Sequence, residues 1–131
     1  MTDDLSRLRQ QLGRAQQSVG RLLSQILRDA PMTPGSFYLQ KRRCGKPNCR
    51  CAGGQLHAAW VITRSLAGAT RTSMVPTAQR ARLRQLTAEY RRWQRARAQL
   101  VKRHRQMLAL ADQVGQLRLI PWPQEKEPTH G

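Results

Sequence analysis

Apolar residues recur at alternating steps of three and four positions near the start of the chain. They are Leu5, Leu8, Leu12, Ala15, Val19, Leu22 and Ile26. This is the heptad pattern of helices that pack against one another. Asp3 and Asp4 suit a first turn, where the helix dipole favours negative charge, and Pro31 stops the pattern because proline cannot continue a helix. The sequence therefore predicts a helix over residues 3–29.

A second helical pattern covers residues 77–118. Thr77 follows Pro76 and is a candidate for the residue that caps the start of the helix. Its apolar series is interrupted by Arg97 and His104 and consists of Leu83, Leu86, Tyr90, Trp93, Leu100, Met107, Ala111 and Val114. Two helices with such series are expected to form an antiparallel coiled-coil hairpin. The longer second helix would overhang, and its apolar stripe there suits contact with a second protomer, in a homodimer, or with another protein.

Between the two helices the pattern changes to that of short strands. Runs rich in aromatic and β-branched residues lie at 35–42, 58–66 and 70–75, and Ala67-Gly68-Ala69 is a candidate hairpin turn. The predicted fold class is α+β, mainly α: an antiparallel two-helix coiled-coil hairpin with a small zinc-stapled antiparallel β-sheet at its tip. We expect one domain over residues 1–120 and a flexible tail over residues 121–131.

All three cysteines of the chain and one histidine lie between the first two predicted strands. Cys44, Cys49, Cys51 and His57 read C-x4-C-x-C-x5-H. Three thiolates and an imidazole are a donor set of closed tetrahedral zinc sites, and the Gly, Pro and Asn residues between them allow a tight loop. The sequence predicts one structural Zn²⁺ held by these four residues. An iron–sulfur or redox site and a site without metal remain open as alternatives.

Catalysis at this metal site is not expected. Four protein ligands leave no position for water, and a hydrolytic zinc needs a neighbouring base. Residues 31–76 contain neither Asp nor Glu. The Ser and Thr residues form no recognisable set with a His and an Asp that would indicate a nucleophile. We therefore expect a protein that is not an enzyme.

The charge of the chain points to a polyanionic partner. Lys and Arg number 24 against 7 Asp and Glu, which gives a net charge of +17. Arg presents a planar fork that suits phosphate, so we expect a nucleic acid, with DNA favoured over RNA. Some cations near the cysteines would also offset the negative charge of a zinc–thiolate site. The candidate nucleic-acid contacts are Lys41, Arg42, Arg43, Lys46, Arg50, Arg64, Arg71, Arg84, Arg91, Arg92, Arg95, Lys102, Arg103 and Arg105.

The cellular location follows from three sequence features. No run of 18 or more apolar residues exists, so a membrane-spanning helix is not expected. The first residues lack the basic start and apolar core of an export signal. Thiols intended for zinc imply a reducing compartment. We expect a cytoplasmic protein associated with the nucleoid.

The block from Gly35 through Cys44-Gly45-Lys46-Pro47-Asn48-Cys49-Arg50-Cys51 to His57 resembles an uncharacterised prokaryotic family of small proteins. Its members share a C-G-K-x-x-C-x-C…H pattern followed by a helix rich in Arg and Tyr, and many are encoded beside transposase or recombinase genes. The resemblance covers roughly residues 35–100 and leaves out the first helix. It implies the same four metal ligands and a mobile-element context, in transposition or recombination.

These observations favour a non-enzymatic accessory protein that binds nucleic acid through the zinc loop and the basic second helix. Its coiled coil would offer a surface to a partner such as a transposase or recombinase. Two alternatives remain open: a coiled-coil adaptor between proteins, and a dimeric transcriptional repressor that reads a palindromic site.

Overall fold

A computed structural model describes residues 2–49, 53–54 and 56–123 of the chain. Its elements in chain order are helix α1 (Thr2–Ile26), strands β1 (Ser36–Arg42), β2 (His57–Leu66) and β3 (Ala69–Met74), and helix α2 (Thr77–Arg118). The helices contain 25 and 42 residues, whereas the strands contain 7, 10 and 6. The α+β class with mainly helical content is thus confirmed. The antiparallel hairpin of the two helices stays a prediction.

Helix α1 ends at Ile26, three residues earlier than the sequence pattern indicated. Pro31 disfavours helical backbone at the residue before it and would clash with the carbonyl four positions earlier. The segment after the helix makes its own contacts: the N–H of Thr33 donates to the carbonyl of Leu86 at 3.1 Å. Residues 28–34 therefore have no regular secondary structure, and Thr33 is bonded to α2.

Helix α2 begins and ends where the sequence predicted, at Thr77 and Arg118. Two polar residues on this helix are buried, Thr87 and Glu89. The hydroxyl of Thr87 donates to the carbonyl of Leu83 at 2.8 Å, so its burial leaves no unsatisfied donor. This part of the helix faces the interior of the fold.

The three strands form one antiparallel sheet in the order β1-β2-β3, which makes β1 and β3 the outer strands. Each predicted strand boundary is within one residue of the observed one. Ala67 and Gly68 connect β2 to β3 with φ angles of 51° and 80°. Positive φ at both positions is the type I′ hairpin turn, whose twist matches that of the strands. The turn is one residue shorter than predicted because Leu66 pairs with Ala69.

The two faces of the sheet differ, as the alternation of side chains along a strand requires. On one face Phe37, Ile62 and Val75 are buried together, and Trp60 and Leu83 pack against them. On the other face a chain of hydroxyl contacts crosses all three strands. The hydroxyl of Tyr38 lies 3.0 Å from Oγ1 of Thr63, which lies 3.1 Å from Oγ1 of Thr72. The first face is the hydrophobic core between the sheet and α2.

The chain divides into two compact units. We call Met1–Leu27 with Ala96–Gly131 the helical unit, and Arg28–Arg95 the sheet unit. In the helical unit Leu8 and Ala15 of α1 and Leu110 of α2 are buried. The single domain over residues 1–120 stays a prediction, and residues 124–131 of the predicted tail lie outside the described residues. Neither α1 nor α2 has an apolar stretch long enough to cross a bilayer.

Candidate metal centre and its cationic surround

Three of the four predicted metal ligands meet beside the end of the sheet. The ligand atoms of Cys44, Cys49 and His57 all lie within 4.8 Å of one another. His57 is the first residue of β2 and pairs with Arg42, the last residue of β1. Since Cys44 follows Arg42 by two residues, strand pairing itself brings this cysteine close to the histidine.

The loop returns Cys49 to the same place. The N–H of Cys49 donates to the carbonyl of Lys46 at 3.2 Å, which closes a turn with Pro47 at its second position, where proline is favoured. Gly45 precedes this turn with a φ of 78°, a conformation that suits glycine. As a result, Sγ of Cys49 lies 3.0 Å from Nε2 of His57.

These distances fit a metal ion with small side-chain adjustments. Tetrahedral zinc has bonds of about 2.3 Å to sulfur and 2.0 Å to nitrogen, which places its ligand atoms roughly 3.5–3.8 Å apart. The Cys49–His57 distance is somewhat shorter than this range, and the limit of 4.8 Å for the group is longer. Cys44 and His57 are exposed and Cys49 is half-buried, so an ion can reach them. The three residues are close enough to hold a metal ion.

The fourth predicted ligand, Cys51, lies outside the described residues, as does the neighbouring candidate nucleic-acid contact Arg50. The group that the structure brings together is therefore two thiols and an imidazole.

The same three residues line a cavity of about 600 Å³ together with three of the predicted nucleic-acid contacts, Arg42, Arg43 and Lys46. The other residues of its wall are Gln40, Ala58, Ala59 and Met74. None of the described residues that line it is acidic. We call this concave surface the metal-loop cavity. It combines a metal-ligand group with three cations that form no ion pair with a carboxylate of the described residues, a combination that suits an anionic ligand.

Three further predicted contacts lie elsewhere on the sheet. Lys41 is exposed on β1. Arg64 of β2 pairs directly with Arg71 of β3. Like charges in opposite positions of a sheet repel, and Nε of Arg64 is buried without a hydrogen-bond partner among the described residues. An anion near this pair would reduce the repulsion between the two charges.

Two predicted contacts on α2 are engaged within the protein. The guanidinium carbon of Arg84 lies 5.4 Å from the ring centre of Phe37 and 5.1 Å from that of Trp60. These two rings stack at 5.0 Å with an angle of 13° between their planes. Arg92 donates from Nη1 to Oε2 of Glu89 at 2.8 Å. Both arginines therefore also contribute to the packing of the sheet unit.

The remaining predicted contacts lie farther along α2. Arg91, Arg95, Lys102 and Arg105 are exposed there. Arg103 is partly buried, donates from Nη1 to Oε1 of Gln106 at 3.0 Å, and lines a second cavity.

Sequence reasoning missed the other basic residues around this second cavity. Arg7, Arg14 and Arg21 of α1 line it together with Arg103. Their regular spacing of seven residues was a visible signal, since residues seven apart lie on the same side of a helix. The first thirty residues also contain Asp3, Asp4 and Asp29, so the net charge of this segment did not indicate a basic surface.

A protein-family model described as "Domain of unknown function (DUF6788)" matches residues 2–85, more than half of the chain, so the chain belongs to this family. The match includes α1, which the resemblance seen in the sequence had left out, and it ends within α2. No curated protein and no solved structure matches the chain.

Proposed function

We propose that this member of the family is a nucleic-acid-binding protein in which a structural zinc ion orders a cationic loop for contact with phosphates. The observation that most supports this proposal is the metal-loop cavity, where Arg42, Arg43 and Lys46 surround the ligand group. A loop of six or more residues has many conformations, and a bound ion that restrains it lowers the entropy lost on binding a ligand. In this proposal the metal has a structural role.

Zinc is the ion that this donor set favours. Thiolate and imidazole ligands select zinc over magnesium or calcium, which prefer oxygen. We propose Cys51 as the fourth ligand, two positions after Cys49 in the sequence. A site with three thiolates and one neutral imidazole has a net charge of about −1. It offsets only part of the basic charge near it, so an excess of positive charge remains for a partner.

The distribution of charge supports a phosphate backbone as that partner. Residues 31–76 have no Asp or Glu, and the chain as a whole has a net charge of +17. A solvent-exposed basic surface normally includes acidic neighbours, whereas the metal-loop cavity has none among its described lining. Arg42 and Arg43 can each form two parallel hydrogen bonds with one phosphate. We favour DNA over RNA.

The biological setting is proposed from the resemblance in the cysteine block. Its implied context of transposition or recombination suggests an accessory protein that works with a transposase or recombinase. An antiparallel hairpin of α1 and α2 would provide the surface for such a partner. The presence of residues from both helices around one cavity, Arg14 and Arg103 among them, supports that arrangement.

The proposal is tested by fluorescence anisotropy with labelled duplex DNA, single-stranded DNA and RNA over a series of salt concentrations. We expect tight binding at low salt and a steep linear fall of log K with log salt, since each phosphate contact on duplex DNA contributes a slope of about −0.9. The variant Arg42→Gln/Arg43→Gln/Lys46→Gln should reduce the magnitude of the slope of log K against log salt by roughly 2–3. The control variant is Arg82→Gln, at an exposed residue of α2 outside the cavity.

Two outcomes would overturn the proposal. One is the absence of binding to any nucleic acid at low salt by protein that contains one zinc ion per chain. Together with capture of a protein partner, that result would favour the adaptor alternative. The other is unchanged binding by the triple variant, which would show that the metal-loop cavity is not the contact surface.

A further inference from the structure

The helical unit contains a second cationic concavity that the proposed function does not use. It has a volume of about 680 Å³ and is lined from α1 by Arg7, Arg14 and Arg21 and from α2 by Arg103. We call it the arginine groove. We propose that the arginine groove is a second binding site for the phosphate backbone of a nucleic acid. The identity of the ligand rests on the proposed function, whereas the site is separate from the metal loop.

The groove exists because the facing side chains are small or polar. Ala15 is buried at the centre of this side of α1, and Ser18 lies one turn further along. A coiled coil closes its interface with large apolar residues at seam positions, and in the heptad series of α1 the seam position at 15 has the small residue Ala15. Here Leu110 is the large apolar residue in the lining, so the space beside it remains open.

The arginines of α1 are spaced to follow an extended ligand. Successive members are seven residues apart, which corresponds to about 10.5 Å along a helix axis, and Arg7 and Arg21 are separated by roughly 21 Å. One strand of duplex DNA has a phosphate about every 3.4 Å along its axis. The row is therefore about as long as six base-pair steps of a duplex, which is more than a single small anion would need.

Positive charge in the groove is only weakly neutralised from within the protein. No carboxylate from the described part of the chain lines it. Arg7 forms an ion pair with Asp4 at 3.4 Å, but both side chains are more than half exposed, and such surface pairs contribute little. Arg14, Arg21 and Arg103 are accordingly the residues that most need an external anion.

The polar lining also suits a backbone rather than an apolar partner. Gln11, Ser18, Gln106 and Gln113 alternate with the arginines and can donate to phosphate or sugar oxygens. Gln106 accepts from Arg103 through Oε1, so its amide N–H groups remain to donate. An amphipathic helix of another protein would instead need a continuous apolar floor, and Ala15 and Leu110 alone do not provide one.

A pair of charge-matched variants tests the inference. Arg14→Gln/Arg21→Gln removes two charges from the groove, and Arg9→Gln/Arg118→Gln removes two charges from the same helices. Arg9 and Arg118 line a different cavity, with Leu5, Leu12 and Val114. Gln has nearly the helix propensity of Arg, so both variants should keep the helical circular dichroism of the full-length protein.

Binding of duplex DNA is measured for both variants over a salt series. We expect the groove variant to reduce the salt slope by roughly 1.8, two contacts of about 0.9 each, and to bind roughly tenfold or more weakly at moderate salt. The control variant should change the salt slope by less than about 0.5, which is roughly half the contribution of one phosphate contact.

Failure of this inference differs from failure of the proposed function. If the wild-type protein binds with a steep salt dependence and the two double variants lose the same amount of affinity and of salt slope, the groove is not a binding site. If only the groove variant loses affinity while the metal-loop variant binds normally, the groove is supported and the metal loop is rejected. If the wild-type protein binds no nucleic acid, both proposals are overturned.

Discussion

Arg28 and Glu89 are separated by 61 residues of chain, and Nε of Arg28 donates to Oε1 of Glu89 at 2.9 Å. The same carboxylate accepts from Arg92 through its second oxygen at 2.8 Å. Only 11% of the Glu89 side chain is exposed. This buried carboxylate therefore attaches the segment after α1 to the second helix, and a negative charge in a strongly basic protein has a structural role here.

We expect Glu89→Gln to lower the free energy of unfolding by about 2 kcal/mol. The substitution weakens two hydrogen bonds between charged groups and leaves two arginines without their counter-ion. Urea denaturation of the full-length protein measures the change. Asp112→Asn is the matched control, because Asp112 is an exposed acid on the same helix. Equal losses in the two variants would show that Glu89 contributes only through the net charge.

Removal of the metal should destabilise the sheet unit. Cys49→Ser replaces a side chain whose sulfur lies 3.0 Å from Nε2 of His57, and a hydroxyl is a poor zinc ligand. We expect the metal content to fall from about one ion per chain to near zero, with a loss of cooperative thermal unfolding, because a three-stranded sheet of this size is marginal without additional support.

Elemental analysis and calorimetry measure these effects. His104→Ala, on the exposed surface of α2, is the control that should retain its metal. A Cys49→Ser protein with wild-type metal content would contradict the assignment of this residue as a ligand.

The hairpin turn between β2 and β3 should be improved by a single substitution. Ala67 has a φ of 51°, a left-handed conformation that costs a residue with a Cβ atom roughly 1 kcal/mol. Ala67→Asn or Ala67→Gly should stabilise the protein by about 0.5–1 kcal/mol, since both residues favour this position of a type I′ turn. Gly68→Ala should do the opposite. Thermal unfolding distinguishes these results, and a loss of stability in both Ala67 variants would contradict the turn geometry.

Arg84 is expected to stabilise the sheet unit through its contact with the stacked rings of Phe37 and Trp60. A guanidinium over an aromatic face contributes about 0.5–1 kcal/mol at an exposed site. Arg84→Gln should lower the free energy of unfolding by that amount, whereas Arg91→Gln, with an exposed side chain on the same helix, should not. A fall in DNA affinity without loss of stability would instead assign Arg84 to phosphate binding alone.

Much of the secondary structure could be predicted because local signals were strong. The Pro76-Thr77 step and the apolar repeat defined α2, and aromatic and β-branched runs defined the strands to within one residue. The end of α1 was predicted only approximately: Pro31 gives a local stop signal, but the contacts of Arg28 and Thr33 with α2 are not visible in the sequence. Tertiary contacts of this kind leave no periodic signal in a sequence.

The candidate metal site could be predicted in part, because its ligands also give a strong local signal. Short spacing and ligand chemistry were sufficient to group Cys44, Cys49 and His57, which the structure brings together. The roles of individual arginines were not predictable. Composition treats Arg84, Arg92 and Arg103 alike, whereas the structure places them against two rings, a carboxylate and a glutamine.

The basic residues on the two outer strands also bear on how the protein behaves at high concentration. Backbone N–H and C=O groups along an outer strand can pair with the strand of another molecule, and charged side chains hinder this. Lys41 and Arg42 on β1 and Arg71 on β3 place like charges where two molecules would meet. A polyanion added to charge equivalence cancels that repulsion, so light scattering from aggregates should be greatest at this mixing ratio and low for the protein alone.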